Sequence, residues 1–459
     1  MNKQEIINNL ENTKSFIADC LSKAKREGIA QVEIYAAYHT GMDISLEKND
    51  LNTSTFSEET NYGIRVIENH CQGFVTTNDK ASIYDSILDA RSLAKTQNTP
   101  DEAMELPETS PQIHEIDGLY HEDIDSLDIE DLVSVVSQIL NWRKEKYPKI
   151  SIDSGDVSFG KGYKLIANTK GLMVSELRAS VSAGYMGMAI DGEDIGSFDY
   201  DSAIGRNMDS FQKSLTHSLE DFGSKCMGAL KAQTIKGFKG NILIPPDSVF
   251  SFLGDLLSSL TATQIRKKRS KFGDMLNKEV TSPLLSIYED PHIPCFQGSS
   301  AFDREGVSTK EKEIIQKGVL KTFFYNHFEA RKAGLDRSNG SALGGSSSVP
   351  YCGPGQLQVM PGTSSLSELL NTKTKTILVN RFSGSSNSSS GDFSGSVKGG
   401  QLLENGNKYP IKETIITGNI YNILKQIVAV SHERKLLYSS SQVPWILIEG
   451  VDITGTDEG

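Results

Sequence analysis

The sequence has no long apolar run, few cysteines and an excess of acidic over basic residues. None of its apolar stretches approaches the ~20 residues that a membrane-spanning helix needs, and residues 1–14 lack the apolar core of a signal peptide. The five cysteines are scattered without CxxC spacing, which predicts reduced thiols. With 47 basic and 59 acidic residues, the net charge of −12 argues against binding to nucleic acid or to an anionic membrane. These features predict a cytoplasmic protein with neither kind of partner.

Motifs that would mark a catalytic centre are also missing. A helical HExxH motif would place two imidazoles one turn apart around a zinc ion, but none of the eight histidines has that spacing. Two histidines stand seven residues apart in His114 and His121, where Gly118 and the preceding Pro111 disfavour a helix. There is no GxSxG nucleophile elbow in an apolar strand-to-helix frame and no GxxxxGK[ST] phosphate loop. The residues therefore predict neither a metal centre nor a catalytic nucleophile in this chain.

Hydrophobic periodicity divides the chain into a mixed first half and a strand-rich second half. Apolar residues at three- and four-residue spacing predict helices over 6–24, 83–94, 129–140, 207–231 and 248–264. Alternating or β-branched runs predict separate short strands, among them Val32–Ala37, Asp43–Leu46, Ser151–Phe159 and Tyr163–Asn168. An acidic, proline-bearing connection covers about residues 98–128. The fold class is therefore α+β, with an N-terminal α/β domain over residues 1–235 and a β-rich C-terminal domain over residues 236–459.

A serine- and glycine-rich stretch, Ser383–Gly406, interrupts the second half. Thirteen of the eighteen residues in Ser383–Gly400 are Ser or Gly, a composition typical of flexible linkers. Strand-like runs flank the stretch on both sides, and only about fifty residues follow it, so it has no second domain to join. We predict a long functional loop inside a β-rich domain, where glycine lets another backbone approach closely. The alternative is a disordered insertion.

Three stretches of the chain resemble one protein family. They are Thr60–Asp79 (TNYGIRVIENHCQGFVTTND), Phe302–Gly334 (beginning FDREGVSTKEKEII) and Asn380–Asn422, which contains GDFSGSVKGGQLLENG and ITGN. Together they are similar to the glycine–arginine–valine strand, the central segment and the glycine-rich segment of the TldD/PmbA family. The PmbA (TldE) branch is the most similar, and the resemblance extends over nearly the whole chain.

This resemblance implies a barrel-like C-terminal domain and a partner protein. The partner would be a TldD-like subunit, and the two chains would form a heterodimeric metalloprotease that acts on unfolded or short peptides. In the TldD branch, an HExxxH motif binds zinc on the helix after the first strand of the second domain. The matching segment here, Ser248–Gln264 (SVFSFLGDLLSSLTATQ), contains neither His nor Glu. We therefore expect no catalytic residue, no metal ligand and no cofactor in this chain, with zinc held by the partner.

The resemblance and the composition together indicate where a peptide would bind. An extended peptide can add a strand to an exposed sheet edge, since backbone hydrogen bonds tolerate varied sequences. Glycines let such a backbone approach without a side-chain clash. The predicted peptide-facing or subunit-interface residues are Gly391, Asp392, Phe393, Ser394, Gly395, Gly399 and Gly400.

Two other functions stay open at this point. The chain could be a stand-alone, homodimeric peptidase or hydrolase with an unrecognised site. It could also be a regulatory binding protein, in line with the family's older description as a modulator of DNA gyrase. Homodimers without a partner are a further expectation, because exposed sheet edges seek pairing.

Overall fold

The first half of the chain forms one sheet with helices on it. The computed structural model describes residues 2–108, 113–387 and 389–455. The parts of the acidic connection and of the serine- and glycine-rich stretch at residues 109–112 and 388 lie outside the described residues. The elements of the first half are α1 (Lys3–Arg26), β1 (Gln31–Glu47), β2 (Asp50–Glu68), β3 (Cys71–Thr77), α2 (Ile83–Thr96), α3 (Ile129–Lys146), β4 (Ile150–Asn168), β5 (Met173–Asp191), β6 (Asp194–Ile195), β7 (Asp199–Gly205) and α4 (Met208–Met227).

The strands of this sheet are longer than the sequence predicted. The order is β3-β2-β1-β4-β5-β6, with β7 also paired to β5, and all pairs are antiparallel. The two predicted strands Val32–Ala37 and Asp43–Leu46 are one strand, β1, and Ser151–Phe159 and Tyr163–Asn168 are likewise one strand, β4. The polar residues between them lie opposite each other, since His39 pairs with Gly162 and Gly41 with Gly160. Pairing with neighbours therefore carries both strands through their polar centres.

Helices α1, α2, α3 and α4 lie on one face of the sheet. Alternate residues of β1 and β4, such as Ile34 and Leu165, pack against α1 and α2. Farther along the same face, Ile44 and Phe159 pack with α3 and α4. The opposite face of the sheet carries a row of charged side chains and turns toward the second half of the chain.

The second half is built mainly of strands. Its elements are β8 (Phe238–Ile244), α5 (Pro246–Ser259), α6 (Ala262–Arg266), β9 (Ile287–Glu289), β10 (Lys312–Gln316), β11 (Val319–Leu320), α7 (His327–Lys332), β12 (Ala342–Leu343), β13 (Tyr351–Cys352), β14 (Leu357–Val359), α8 (Leu366–Leu370), β15 (Thr376–Leu378), β16 (Arg381–Ser386), β17 (Asp392–Lys398), β18 (Gln401–Glu404), β19 (Asn407–Pro410), β20 (Thr414–Asn419), α9 (Ile420–Ile423), β21 (Ile427–Leu437) and β22 (Ser441–Thr454).

Among the described residues, the largest sheet of this half has nine strands. Its order is β16-β17-β20-β22-β8-β15-β18-β19, and β21 also pairs with β22. A four-stranded sheet, β11-β10-β9-β14, and the pair β12-β13 complete the half. The predicted α+β class with a barrel-like second half is confirmed, since the sheets curl into half-barrels. Among the described residues, no helix is both long and apolar enough to cross a membrane.

Helix α5 is the centre of the second core. Pro245 precedes its first turn, and Val249, Phe252 and Leu256 are buried against the nine-stranded sheet. The predicted helix over 248–264 is divided in two. The backbone of Phe324 donates a hydrogen bond to Leu260 (3.0 Å) and accepts one from Ala262 (2.9 Å), which ends α5 before α6 begins.

Replacing Leu256 with alanine tests how tightly this core is packed. Leu256 is fully buried, and truncating such a side chain leaves a cavity as well as losing apolar contacts. We expect Leu256→Ala to lower the free energy of unfolding by about 2–5 kcal/mol in urea titrations. Ser258→Ala, on the exposed side of the same helix, is the control and should change it by less than about 0.5 kcal/mol. Equal effects at both positions would contradict this packing.

Candidate functional site

The serine- and glycine-rich stretch forms strands at the edge of the nine-stranded sheet. β16 and β17 make an antiparallel hairpin in which Phe382 pairs with Val397 and Ser385 with Ser394. The prediction of a long loop over Ser383–Gly406 is therefore wrong, since residues 383–386, 392–398 and 401–404 lie in β16, β17 and β18. Serine and glycine have low strand propensity, but β20 pairs with the other side of β17 and completes the ladder. Pairing with neighbouring strands overrides the local composition.

The predicted peptide-facing residues alternate between the core and solvent along β17. Phe393 is buried, with its ring 6.2 Å from Phe252 and 6.0 Å from Phe382. Asp392 and Ser394 are exposed. Asn419 donates a hydrogen bond to Asp392 (2.9 Å), which lowers the pKa of this carboxyl.

The predicted glycines accommodate side chains of this chain. A Cβ atom on Gly395 would lie 2.3 Å from the ring of Phe382, and one on Gly391 would lie 2.2 Å from the ring of Tyr421. Gly399 has φ +59° in the turn between β17 and β18, and a Cβ on Gly400 would approach Val397 to 2.6 Å. These four glycines are required by the hairpin and its turns. Their contact with a peptide stays a prediction.

The outer edge of β16 is the part of the hairpin that is open to a partner. Among the described residues β16 pairs with β17 only, and Ser383–Ser386 are exposed. Arg381 anchors the start of the strand to the first half of the chain, because it donates a hydrogen bond to the carbonyl of Phe198 (2.6 Å). An anchored strand with a free edge can pair with an added backbone.

A buried network of four charges joins the two halves. Arg65, on β2, lies 2.6 Å from Glu33 of β1 and 3.1 Å from Glu305 of the second half. Arg304 contacts the other oxygen of Glu33 at 2.9 Å and stacks on the ring of Tyr35. All four charged side chains are almost completely buried. We call this set the four-charge network.

The network keeps Glu33 ionised. Burial raises the pKa of the Glu33 carboxyl, but the guanidinium groups of Arg65 and Arg304 lower it more, so its pKa lies below the ordinary value. Burial also raises the pKa of Glu305, which Arg65 only partly opposes. Glu305 accepts a further hydrogen bond from the backbone N–H of His327 (2.7 Å), so both of its oxygens have partners.

Next to the network, the charged face of the sheet opens into a cleft of about 540 Å³. One wall comes from β1, β4 and β5, and the other comes from loops between residues 289 and 356. Lys164 of β4 reaches the hydroxyl of Ser300 (2.5 Å) across the junction. Burial lowers the pKa of its amino group to about 8, although Glu176 opposes the shift. The cleft therefore contains a titratable amino group, that of Lys164, which is not part of the four-charge network.

Helix α5 does not have the residues of a zinc site. Its acidic side chains are Asp247 and Asp255, and it has no His, Glu or Cys. Asp247 is ion-paired with Lys225 (2.9 Å) and Lys435 (3.1 Å). Within residues 2–108, 113–387 and 389–455, no group of three His, Cys, Asp or Glu side chains is placed to hold a metal ion. Zinc therefore does not fit the residues of this helix.

Two protein-family models match this chain and show the family to which it belongs. The model of the PmbA/TldA metallopeptidase C-terminal domain matches residues 238–455, and the model of PmbA/TldA metallopeptidase domain 1 matches residues 32–94. Together they cover more than half of the chain. The chain belongs to the PmbA/TldD family, in its PmbA/TldE branch.

Relatives and solved structures agree with this assignment over almost the full length. The chain is 25% identical to a metalloprotease PmbA homolog of Haemophilus influenzae, over 97% of this chain and 96% of that protein. It is 23% identical to the metalloprotease PmbA of Escherichia coli O157:H7, over 98% of this chain and 99% of that one. The crystal structure of TldE from Thermococcus kodakarensis has the same fold, with a TM-score of 0.86 at 20% identity over 96% of this chain and 100% of that chain.

The fold brings together two of the family stretches that are far apart in the sequence. Arg65 lies in the first stretch, and Arg304 and Glu305 lie in the second. Sequence reasoning recognised both stretches but missed the network and the cleft beside it. The adjacent Asp303-Arg304-Glu305 was the available signal, because three charged residues in a row next to buried apolar positions need partners.

Replacing Arg65 tests the four-charge network of this PmbA/TldD-family chain. Arg65→Met would leave Glu33 and Glu305 buried with one cation fewer, and we expect the free energy of unfolding to fall by about 3–5 kcal/mol. Because the pKa of Glu33 is lowered in the folded state, its contribution is present above the pKa of the unfolded chain and is lost as the pH falls through the folded value. Urea titrations at pH 7 and pH 4 should therefore show a larger difference between wild type and variant at pH 7.

The control for this prediction is an exposed ion pair. Lys213 lies 2.7 Å from Asp209 on the surface of α4, and Lys213→Met should change stability little, since exposed pairs contribute little. If Arg65→Met were as mild as Lys213→Met, the network would not hold the two halves together.

Proposed function

We propose that this chain is the non-catalytic subunit of a heterodimeric metalloprotease of the TldD/TldE type. A TldD-like partner would hold zinc and activate water. This chain would hold unfolded or short peptides for cleavage or maturation. The observation that carries the proposal is α5, the helix after the first strand of the second half, where the family resemblance implies a zinc-binding helix in the TldD branch. Here α5 presents Val249, Phe252 and Leu256 to a packed core.

Three further features support the proposal. Two relatives that match over nearly their full length are described as metalloproteases. This description favours a role for the chain in handling peptides. The free edge of β16 is a surface to which an extended peptide can add. All five cysteines are free thiols, which favours the reducing cytoplasm as the location.

Purifying the chain with and without a TldD-like partner tests whether the partner holds zinc and this chain holds the peptide. We expect the chain alone to bind no stoichiometric zinc and to cleave no unfolded peptide. Mixing it with the partner should give a complex with one zinc site and peptidase activity. The measurements are metal analysis, size-exclusion chromatography with light scattering, and cleavage of a disordered peptide.

Other outcomes would favour the other functions. Zinc bound stoichiometrically by this chain alone, together with cleavage, would overturn the proposal and indicate a stand-alone hydrolase. A solved structure of a proposed DNA gyrase modulator from Thermotoga maritima shares the fold, with a TM-score of 0.84 at 23% identity over 96% of this chain. Co-purification with gyrase and no peptidase partner would therefore favour a regulatory role.

Hydrogen exchange of the assembled, metal-free complex tests the peptide-binding edge. Without zinc the peptide is not cut, and a peptide paired with β16 would protect its outward amides. We expect a saturating disordered peptide to slow amide exchange in Arg381–Ser386 by about tenfold or more, as a newly formed backbone hydrogen bond would. Asn407–Pro410, the strand at the opposite edge of the same sheet, is the internal control and should not change. Protection at both edges or at neither would contradict binding to β16.

A further inference from the structure

The cleft between the two halves has no role in the function proposed above. Its volume of about 540 Å³ lies in the range of small-ligand sites, about 300–1,000 Å³. None of the residues of β16 or β17 lines it. The cleft is therefore a separate place on the molecule.

Among the described residues, four Lys and Arg side chains of the first half line the cleft. Lys161 of β4 is paired with Asp125 (3.4 Å), and the other three are Lys164 of β4, Arg178 of β5 and Arg206, which follows β7. The carboxylate closest to them is Glu176, which lies 2.6 Å from Arg178 and 3.5 Å from Lys164. Glu176 is thus in contact with two of these three positive charges, and Arg206 is not in contact with it.

Arg206 is a buried cation that has no carboxylate in contact among the described residues. Its hydrogen bonds go to backbone carbonyls, those of Ala179 and Gln297 at 3.0 Å and those of Leu119 and Phe296 at 3.4 Å. Burial and the nearby charge of Arg178 lower the pKa of its guanidinium to about 10. A buried charge held only by neutral dipoles is costly, and an anion close by would relieve that cost.

Some N–H donors at this wall of the cleft lack a hydrogen-bond acceptor among the described residues. A guanidinium has five N–H groups. Four contacts account for Arg178: Glu176 twice and the carbonyls of Gln297 and Ser299. Four contacts also account for Arg206. Within the described part of the chain, its Nε–H and the side-chain amide nitrogen of Gln297 have no hydrogen-bond partner. Unused N–H groups and excess positive charge therefore occur together.

The acidic residues in the cleft do not cancel this charge, because each has partners of its own. Glu289 pairs with Lys312 at 2.9 Å and accepts a hydrogen bond from the backbone of Gly355 (3.0 Å). Asp303 accepts hydrogen bonds from the backbone N–H groups of Glu305, Val307 and Ala342. Burial and the neighbouring Glu305 carboxylate raise the pKa of Asp303 above its ordinary value, which disfavours its charged form.

We propose that this cleft binds a carboxylate group of a peptide, through Lys164, Arg178 and Arg206. Arginine and lysine form strong charge-assisted hydrogen bonds with carboxylates. The identification of the ligand as a peptide rests on the proposed function, whereas the binding of an anion rests on the cleft alone. The carboxylate is either the C-terminal group of the peptide or the side chain of an acidic residue.

Three peptides that carry an uncharged dye distinguish a C-terminal carboxylate from an acidic side chain. The experiments use the full chain alone. The peptides are N-terminally dansylated tetraalanine with a free C-terminus, the same peptide as its amide, and an amidated version with one Glu. Fluorescence titration should show that the free acid, the Glu-containing amide or both bind about 10- to 100-fold more tightly than the neutral amide, as expected for a charge-assisted hydrogen bond. Equal affinity of all three peptides would overturn the proposal.

Substitution of Lys164 locates the binding site. Lys164→Met removes one cation and leaves Glu176 paired with Arg178, so we expect the chain to fold and the preference for the carboxylate to fall by about tenfold or more. Lys144→Met, at an exposed position on α3, makes the same change in net charge and should leave affinity unchanged. The melting temperature of each variant shows whether it is folded. An unchanged preference in folded Lys164→Met would overturn the assignment to this cleft.

Two competitors complete the test. Acetate at millimolar concentration should displace the bound peptide, and acetamide should not. Displacement by inorganic phosphate but not by acetate would overturn the choice of a carboxylate. Because these titrations need no partner and no cleavage, their outcome is independent of whether the chain assembles into a metalloprotease.

Discussion

The four-charge network is the interaction on which the two halves of this molecule depend. Arg65 and Glu33 come from adjacent strands of the first sheet, and Arg304 and Glu305 come from one segment of the second half. Charges buried this deeply are stable only when each has its counterion at hydrogen-bonding distance. The network therefore fixes the distance and the register between the halves, and the cleft beside it takes its shape from that arrangement.

The same arrangement explains why the charged face of the first sheet is not covered by helices. Helices α1–α4 pack on the apolar face, where aliphatic residues of β1, β4 and β5 form two clusters. The other face carries alternate residues of the same strands, including Glu33, Lys164 and Arg178. Some of these charges pair with the second half, and the rest line an open space. A polar, partly unpaired wall of this kind is characteristic of a binding surface.

Helix α5 packs against the hairpin that contains the edge strand β16. In α5 the side chains at the inner face are apolar, and they support the rings of Phe382 and Phe393 on the hairpin. The helix thus stiffens a strand whose other edge is free. The absence of zinc ligands from α5 and the supported edge of β16 are the features on which we base the proposal of a subunit that holds a substrate for chemistry performed by a partner.

Much of the fold could be predicted from the sequence because the patterns that indicate helices and the family motifs are local. Apolar spacing located α1, α2, α3 and α5, and the three family stretches identified the PmbA/TldE branch together with the α+β class. The absence of His and Glu from Ser248–Gln264 is likewise a fact of the sequence. Such properties depend on residues a few positions apart, where side-chain periodicity carries the information.

The tertiary structure decided the features that depend on distant partners. Strand pairing made β1 and β4 continuous and turned the serine- and glycine-rich stretch Ser383–Gly406 into a hairpin followed by further strands, because hydrogen bonds to neighbouring strands outweigh weak local propensity. Arg65 meets Glu305 across 240 residues of sequence. Arg206 has no carboxylate in contact among the described residues because backbone carbonyls pack around it instead. Composition shows how many charges a chain has, but packing alone determines which of them are paired.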